Sequence, residues 1–115
     1  MATYSKRILS GSANGKQIKV TGTATASSVL IHKAVAGSSS VDEVWVYATN
    51  NQVAAVDLSI EWGEVTVPDG NIQVSIPGLS GLFLVIPGLV IQAELDVRAF
   101  ASVANVVCLS GYVNR

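Results

Sequence analysis

The feature of this sequence that most restricts its fold is a two-residue alternation of apolar and polar side chains. Apolar residues stand at every second position of segments 56–62 and 72–76, with polar residues between them. Such alternation is typical of a strand with one face in a core and the other in water. Residues 68–71 read Pro-Asp-Gly-Asn, which is a turn sequence because proline presets φ and glycine accepts positive φ. The two segments are therefore predicted to form a hairpin.

The rest of the chain repeats this organisation. Further strands are predicted near residues 17–23, 28–35, 42–49, 81–86, 95–100 and 105–113, and glycine, serine and asparagine clusters separate several of them. Helical periodicity is hard to find anywhere. Eight short strands with short turns predict an all-β protein, an antiparallel β-sandwich of about eight strands with a jelly-roll-like arrangement.

Chain length and the first residues suggest the domain organisation. With 115 residues, the chain has the usual size of one domain. Residues 1–15 are poor in apolar periodicity, so we expect an N-terminal arm over 1–15 and a single β-sandwich domain over 16–115. Lys6 and Arg7 give this arm a mild positive bias. They are candidate partner-binding residues that would dock on an acidic surface, and a merely solvated arm is the alternative.

Charged residues are scarce in this sequence. They make up 13% of the chain while half of the residues are apolar, and a charged share of about a quarter is usual. A small domain has much surface for its volume, so apolar surface should stay exposed unless another chain covers it. We therefore expect self-association. The net charge of −1 and the lack of a basic stripe argue against nucleic acid as a partner.

One apolar run departs from the alternation. It consists of Leu82, Phe83, Leu84, Val85 and Ile86. A strand of this kind needs cover on its outer face, from a loop of the same chain or from a neighbouring subunit, and we predict these five residues as an oligomer interface. The sequence Ile-Pro-Gly-Leu occurs at 76–79 and again at 86–89, and each proline should end or kink a strand at a sheet edge. The apolar stretch 79–91 is too short and too interrupted to cross a membrane.

Residues that could support catalysis are few. His32 is the sole histidine and is interpreted as a hydrogen-bonded or half-exposed strand residue; nothing around it or Cys108 favours a dyad. Glu94 and Asp96, roughly 6–7 Å apart on one strand face, could hold a weak cation or form a solvated acidic patch. Motifs for phosphate, zinc or redox chemistry do not occur in the sequence. We expect a protein that is not an enzyme, with no catalytic residue, metal site or cofactor.

Two aromatic residues suggest a different kind of site. Trp45 and Tyr47 share one face of the predicted strand 42–49, with Val44 and Val46 on the other. Aromatic side chains on a sheet surface can anchor a protein interface or stack on sugars, and they are also common in cores. Trp45 and Tyr47 are therefore candidate partner-binding residues, with core, protein interface and carbohydrate site as the three interpretations.

Several segments resemble small virion structural proteins of tailed bacteriophages. They are 27–35 (SSVLIHKAV), 41–50 (VDEVWVYATN), 58–63 (LSIEWG), 76–89 (IPGLSGLFLVIPGL) and 97–115 (VRAFASVANVVCLSGYVNR). The resemblance spans roughly residues 27–115 and involves no catalytic motif, so it assigns no functional residue. It implies a compact β-sandwich that acts as a capsid decoration or cement protein. Such a protein binds the major capsid protein on the outer capsid surface, commonly as a trimer, and reinforces the head.

Two alternatives stay open at this point. One is a tail or head-fibre module that binds carbohydrate or the host surface through Trp45 and Tyr47, and the other is a tail or connector component. The single cysteine, Cys108, cannot form an internal disulfide, and residues 1–9 lack the apolar segment of a signal peptide. We therefore expect synthesis in the host cytoplasm, residence on the virion, and no membrane partner.

Overall fold

The computed structural model describes residues 4–115, which form two antiparallel β-sheets around one aliphatic core. The five-stranded sheet contains β1 (Lys6–Ile8), β2 (Ile18–Lys19), β4 (Asp42–Asn50), β7 (Phe83–Ile91) and β9 (Val107–Asn114). The four-stranded sheet contains β3 (Val29–Lys33), β5 (Val56–Trp62), β6 (Asn71–Ile76) and β8 (Asp96–Ala101). A single 3-10 turn at Thr25–Ser27 precedes β3.

The strand order is that of a jelly roll. Neighbouring strands run β1–β9–β4–β7 in the larger sheet, with β2 also beside β9, and β3–β8–β5–β6 in the smaller sheet. The pairs are nested, because β5 pairs with β6, β4 with β7, β3 with β8, and β1 and β2 with β9, all antiparallel. The chain is thus one long hairpin, turning between β5 and β6, that is rolled into two layers. The predicted all-β, jelly-roll-like sandwich is confirmed.

The N-terminal segment differs from the expected arm. Ile8 of β1 lies opposite Tyr112 of β9, and Ile18 of β2 lies opposite Leu109 of the same strand. Together β1 and β2 form one edge strand, interrupted by a loop, which accounts for nine strands where about eight were expected. Leu9 is buried in the core. Part of the segment 1–15 therefore belongs to the sandwich, and periodicity missed it because β1 has only three residues.

The alternation of residues in the sequence corresponds to the buried and the outer face of each sheet. In β4, Val44, Val46 and Ala48 are buried, whereas Trp45 and Tyr47 between them are half-buried. Directly opposed residues of an antiparallel pair share a face, so the same phase continues across β7 and β9. The buried hydrophobic residues between the sheets are leucine, isoleucine, valine and alanine, and Trp62 and Phe83 are only partly buried against them.

The predicted hairpin of β5 and β6 is confirmed. Glu61 lies opposite Asn71 at its turn end, and the Asn71 N–H donates to the Pro68 carbonyl at 3.2 Å. The polar face of β5 is less exposed to solvent than predicted, however, because Ser59 and Glu61 are buried. β5 is an inner strand of its sheet, between β8 and β6, so residues of two neighbouring strands flank these positions.

Strand β7 runs further than the predicted strand 81–86. Its pairing with β4 contains two bulges, at which Val85 and Gly88 have no partner of their own. β7 lies at an edge of its sheet, where Pro87 needs no ladder hydrogen bond, and Pro77 follows the end of β6, the edge strand of the other sheet. The predicted location of both prolines at sheet edges is confirmed.

A buried polar network ties the two sheets together at Asp42. This residue begins the core-facing row of β4, and its carboxylate is fully buried. Its Oδ2 accepts hydrogen bonds from His32 Nε2 at 2.7 Å and from the Val35 backbone N–H at 3.0 Å. Arg115 donates from Nε to Oδ1 at 2.6 Å and from Nη2 to Oδ2 at 3.0 Å. Since Asp42 belongs to the larger sheet and His32 to the smaller one, the carboxylate bridges the layers.

The geometry also fixes the tautomer of His32. Its Nδ1 accepts the backbone N–H of Ser10 at 3.0 Å, so Nε2 carries the proton that is donated to Asp42. The Ser10 hydroxyl oxygen accepts the backbone N–H of Lys33 at 2.6 Å, which holds the loop after β1 against β3. The ring is buried and both nitrogens are bonded, in agreement with the predicted hydrogen-bonded strand histidine.

Removal of the Asp42 carboxylate should destabilise the fold. We expect Asp42→Ala to lower the free energy of unfolding by at least about 2 kcal/mol, because Arg115 and the buried His32 lose their acceptor. Urea denaturation followed by circular dichroism measures this loss. The matched control is Asp57→Ala, which removes an exposed carboxylate of β5 and should cost less than about 0.5 kcal/mol. Equal losses in the two variants would contradict the role of the network.

The same carboxylate should make stability depend on pH. Burial raises the pKa of Asp42, but the hydrogen bonds from Arg115 and His32 outweigh this effect and hold the pKa below its ordinary value of 3.8. A lowered pKa in the folded state means that stability is present above the unfolded-state pKa and is lost as the pH falls through the folded one. We expect the free energy of unfolding to fall below about pH 4, and to fall less in Asp42→Asn. Identical acid slopes would contradict this.

Candidate functional site

The outer face of the five-stranded sheet is rich in aromatic and aliphatic side chains. Strand register places Ile8 of β1, Tyr112 of β9 and Trp45 of β4 in one row across the sheet. Tyr47 lies in an adjacent row, opposite Leu84 of β7. All five residues are half-buried or exposed. The surface that they form is called the aromatic face below.

Trp45 lies at the centre of the aromatic face. Its ring is stacked on that of Tyr112, with centroids 6.0 Å apart and planes inclined by 12°. The ammonium of Lys6 lies 4.9 Å from the Tyr112 ring centroid, which is a cation–π contact. Trp45 Nε1 donates to Glu43 Oε1 at 2.8 Å. Because its N–H is satisfied within the chain, the indole presents an apolar surface to a partner.

Glu43 orients the indole from the next position on the same side of β4. Its Oε1 also accepts a hydrogen bond from Asn114 Nδ2 at 2.9 Å. The hydrogen bonds from Trp45 and Asn114 lower the pKa of Glu43, against a smaller opposing effect of burial. The same end of the sheet has a cavity of about 250 Å³, lined by Tyr4, Val41, Glu43, Val90 and Asn114. The aromatic face therefore has a concave region at its margin.

Gly88 allows β7 to pass close to the Trp45 ring. Its φ is +85°, and a Cβ at this position would lie 2.9 Å from Trp45 Cζ2. The lack of a side chain thus serves both the backbone conformation at the bulge and the space that the ring needs. The Ile-Pro-Gly-Leu sequence at 86–89 supplies this glycine next to the proline.

The predicted oligomer interface is divided between surface and core. Leu82 and Leu84 are exposed, Phe83 and Val85 are half-buried against the core, and Ile86 is fully buried. The prediction for Ile86 is therefore wrong, because this side chain is core and is not available to another subunit. The bulges of β7 change the phase of its side chains, which simple alternation could not reveal.

The remaining predicted partner-binding residues lie around the aromatic face. Trp45 and Tyr47 are on it, so neither is a core residue of the sandwich. Lys6 lies opposite Asn114 and contacts Tyr112, whereas Arg7 lies opposite the core-facing Val113 but is itself exposed at the sheet edge. Both basic residues are thus held in β1 at one side of the face.

Tyr112 was not singled out from the sequence. The alternation of 105–113 does place it out of phase with the core residues Leu109 and Val113, so its outward orientation could have been predicted. Its proximity to Trp45 could not have been predicted, because it depends on the pairing of β4 with β9, which lie more than 50 positions apart in the chain. Periodicity describes faces of single strands and does not say which strands are neighbours.

The pair of His32 and Asp42 has the composition of a catalytic dyad but not its accessibility. The ring is buried, and its nitrogens are bonded to the Ser10 backbone and to Asp42. Neither nitrogen is thus free to act on Cys108, which lies half-buried on β9 opposite Thr49. A nucleophile and base in contact are needed for covalent catalysis, and the two residues do not form such a pair.

The acidic residues show no metal cluster in the described part of the chain. Among residues 4–115, no group of three or more histidine, cysteine or carboxylate side chains is placed to hold a metal ion. Glu94 and Asp96 line one cavity, and Asp96 Oδ1 accepts a hydrogen bond from Lys33 Nζ at 2.8 Å. Within the same residues, no helix has the length and apolar character needed to cross a membrane.

Comparisons of the chain with protein-family models, with curated proteins and with solved structures found no match.

The close contact between Gly88 and Trp45 gives a direct test of the site geometry. Gly88→Ala and the control Gly81→Ala should each cost about 1 kcal/mol from positive φ. Only Gly88→Ala also displaces the indole, since a Cβ at Gly81 would meet no atom within 4 Å. We expect the larger loss of stability, and a change in near-ultraviolet circular dichroism, in Gly88→Ala. Equal effects of the two substitutions would contradict the described packing.

Proposed function

We propose that this protein is a non-enzymatic structural protein that assembles with other protein subunits through the aromatic face. The observation that carries the proposal is the exposure of large apolar side chains on and beside this face. Ile8 is 54% exposed, Leu84 44% and Val90 57%, and they flank the half-buried rings of Trp45 and Tyr112. Contiguous apolar surface of this kind is typical of interaction sites.

Burial of this surface would supply the energy for association. Covering a few hundred Å² of apolar surface gives several kcal/mol before the costs of association, at about 25 cal/mol per Å². Tryptophan and tyrosine are the residue types that most often dominate binding energies. The stacking of Trp45 on Tyr112 and its hydrogen bond to Glu43 already fix the ring, so little side-chain freedom is lost on binding.

The assembly that we propose is a virion, with this chain as a capsid decoration or cement protein that binds the major capsid protein on the outer surface. The support comes from the resemblance of residues 27–115 to small virion proteins of tailed bacteriophages. Jelly rolls are also common in viral capsids. A fold hosts many functions, so the resemblance and the exposed aromatic face carry the proposal together.

Self-association, with a trimer favoured, is the second element of the proposal. β7 is an edge strand with free backbone groups on one side, and Leu82 and Leu84 expose apolar side chains along it. Exposed edges with apolar side chains readily pair with other chains. β1, with Lys6 and Arg7, lies at the opposite edge of the same sheet. That edge would remain available for an acidic surface of the capsid.

Light scattering on the purified protein tests the self-association. We expect a trimer mass that is stable over a tenfold dilution for the wild type, and a lower mass for Leu84→Asp, because the new charge would be buried in the interface. Val53→Asp is the matched control, since Val53 is 86% exposed and lies outside the aromatic face and β7. A monomeric wild type, or equal effects of both substitutions, would contradict self-association through this surface.

A carbohydrate-binding module is the second candidate, and the exposed aromatic pair favours it. Stacked rings on a sheet can receive the apolar face of a sugar, and lectin domains also use jelly rolls. Trp45→Ala discriminates between the candidates, because Trp45 lies outside the core and its loss should leave the fold intact. Loss of capsid co-sedimentation with unchanged glycan binding supports the decoration protein. Loss of glycan or cell binding with intact assembly supports the module.

A further inference from the structure

A second cavity lies on the four-stranded sheet, apart from the aromatic face. It has a volume of about 450 Å³, and its lining includes Glu61, Glu64, Val65, Glu94, Leu95 and Arg98. It shares no residue with the aromatic face, so a ligand bound in this cavity would be independent of the proposed function. Its volume is within the range of small-molecule sites, roughly 300–1,000 Å³. We call it the Glu61 cavity.

Glu61 is the unusual residue of this cavity. The residue is 3% exposed, and neither carboxylate oxygen has a hydrogen-bond partner among the described residues 4–115. A buried carboxylate without partners costs several kcal/mol, and buried polar groups in native proteins are almost always bonded. Such an exception in the wall of a cavity indicates that a partner from outside the chain completes it.

The basic residues of the cavity are bonded to groups other than the Glu61 carboxylate. Arg98 lies directly opposite Glu61 in the sheet, yet it donates from Nε to Ser28 Oγ at 3.0 Å and from Nη2 to the Ser28 carbonyl at 2.8 Å. Lys33 Nζ donates to Asp96 Oδ1 at 2.8 Å. Glu64 and Glu94 are exposed at the rim. Four carboxylates and two basic side chains line the cavity, so the lining has a formal excess of two negative charges.

The loop that forms one wall of the cavity is held by backbone hydrogen bonds. The Gly63 N–H donates to the Asp96 carbonyl at 2.9 Å, and the Trp62 N–H donates to the Gly70 carbonyl at 2.7 Å. The Gly70 N–H donates to the Thr66 carbonyl at 2.8 Å. These bonds fix the backbone of the wall before any ligand arrives, so the loop backbone loses little entropy on binding.

We propose that the Glu61 cavity binds a guanidinium group carried on an aliphatic chain. Within the described part of the chain, both oxygens of Glu61 are without partners, and a guanidinium can donate two parallel hydrogen bonds to one carboxylate. Val65 and Leu95 provide apolar walls for the aliphatic part, and Glu64 and Glu94 attract the cation at the rim. Because the Glu61 oxygens are shielded from water in the free protein, the incoming group displaces the side chains that cover them.

Nuclear magnetic resonance titration of the full chain with 1-butylguanidinium tests this proposal. We expect saturable shifts of the Gly63, Leu95 and Asp96 amides in the wild type. Glu61→Gln should weaken binding by about tenfold or more, since the charge-assisted hydrogen bonds are lost. Asp57→Asn is the matched control, because it removes one negative charge from the same face of β5 outside the cavity, and it should leave the affinity unchanged.

Three further titrations make the outcome decisive without relying on a variant. Butylurea, a neutral analogue of butylguanidinium, should not bind. The blocked peptide acetyl-Gly-Arg-Gly-amide separates the two sources of the group: binding of the peptide points to an arginine of a partner protein, and binding of butylguanidinium alone points to a free small molecule. Absence of saturable shifts, equal binding by Glu61→Gln or by butylurea, or shifts with calcium chloride alone would overturn the proposal.

Discussion

Asp42 lies where the two sheets meet, and its buried carboxylate accepts four hydrogen bonds from His32, Val35 and Arg115. The hydrophobic core is aliphatic, and aliphatic contacts are not directional. Hydrogen bonds are directional, so this network sets how the layers are positioned relative to each other. The arrangement of the outer surfaces depends on that positioning.

The same strand ends connect the network to the aromatic face. Glu43 follows Asp42 in β4, and Asn114 precedes Arg115 at the end of β9, so each neighbour points to the other side of the sheet. Inside, Arg115 is bonded to Asp42; outside, Asn114 is bonded to Glu43, which also holds the Trp45 indole. One end of the β4–β9 pair is therefore fixed on both faces. This coupling explains how a small sandwich can keep a large aromatic ring oriented at its surface.

Local patterns were sufficient to predict the fold class and the β5–β6 hairpin, because alternation and turn chemistry act over a few residues. They also placed Trp45 on the face of β4 opposite to Val44 and Val46, but they did not show which of the two faces is buried. The buried partners of Asp42 come from distant segments, although its position two residues before Val44 placed it in the buried phase of β4. The bulges that turn Ile86 into a core residue depend on pairing with β4, and the burial of Glu61 depends on the neighbouring strands. None of these is contained in single-strand periodicity.

Hydrogen–deuterium exchange of the wild-type assembly and of the dissociated Leu84→Asp variant tests most directly whether the aromatic face and β7 form the docking surface. Amides of β7 that do not bond to β4 exchange freely in a monomer and become protected when another chain covers this edge. We predict protection confined to β7 and the adjoining outer side of the sheet, with β6, the corresponding edge of the smaller sheet, unchanged. Protection of β6 instead of β7, or no difference between the two states, would contradict this account.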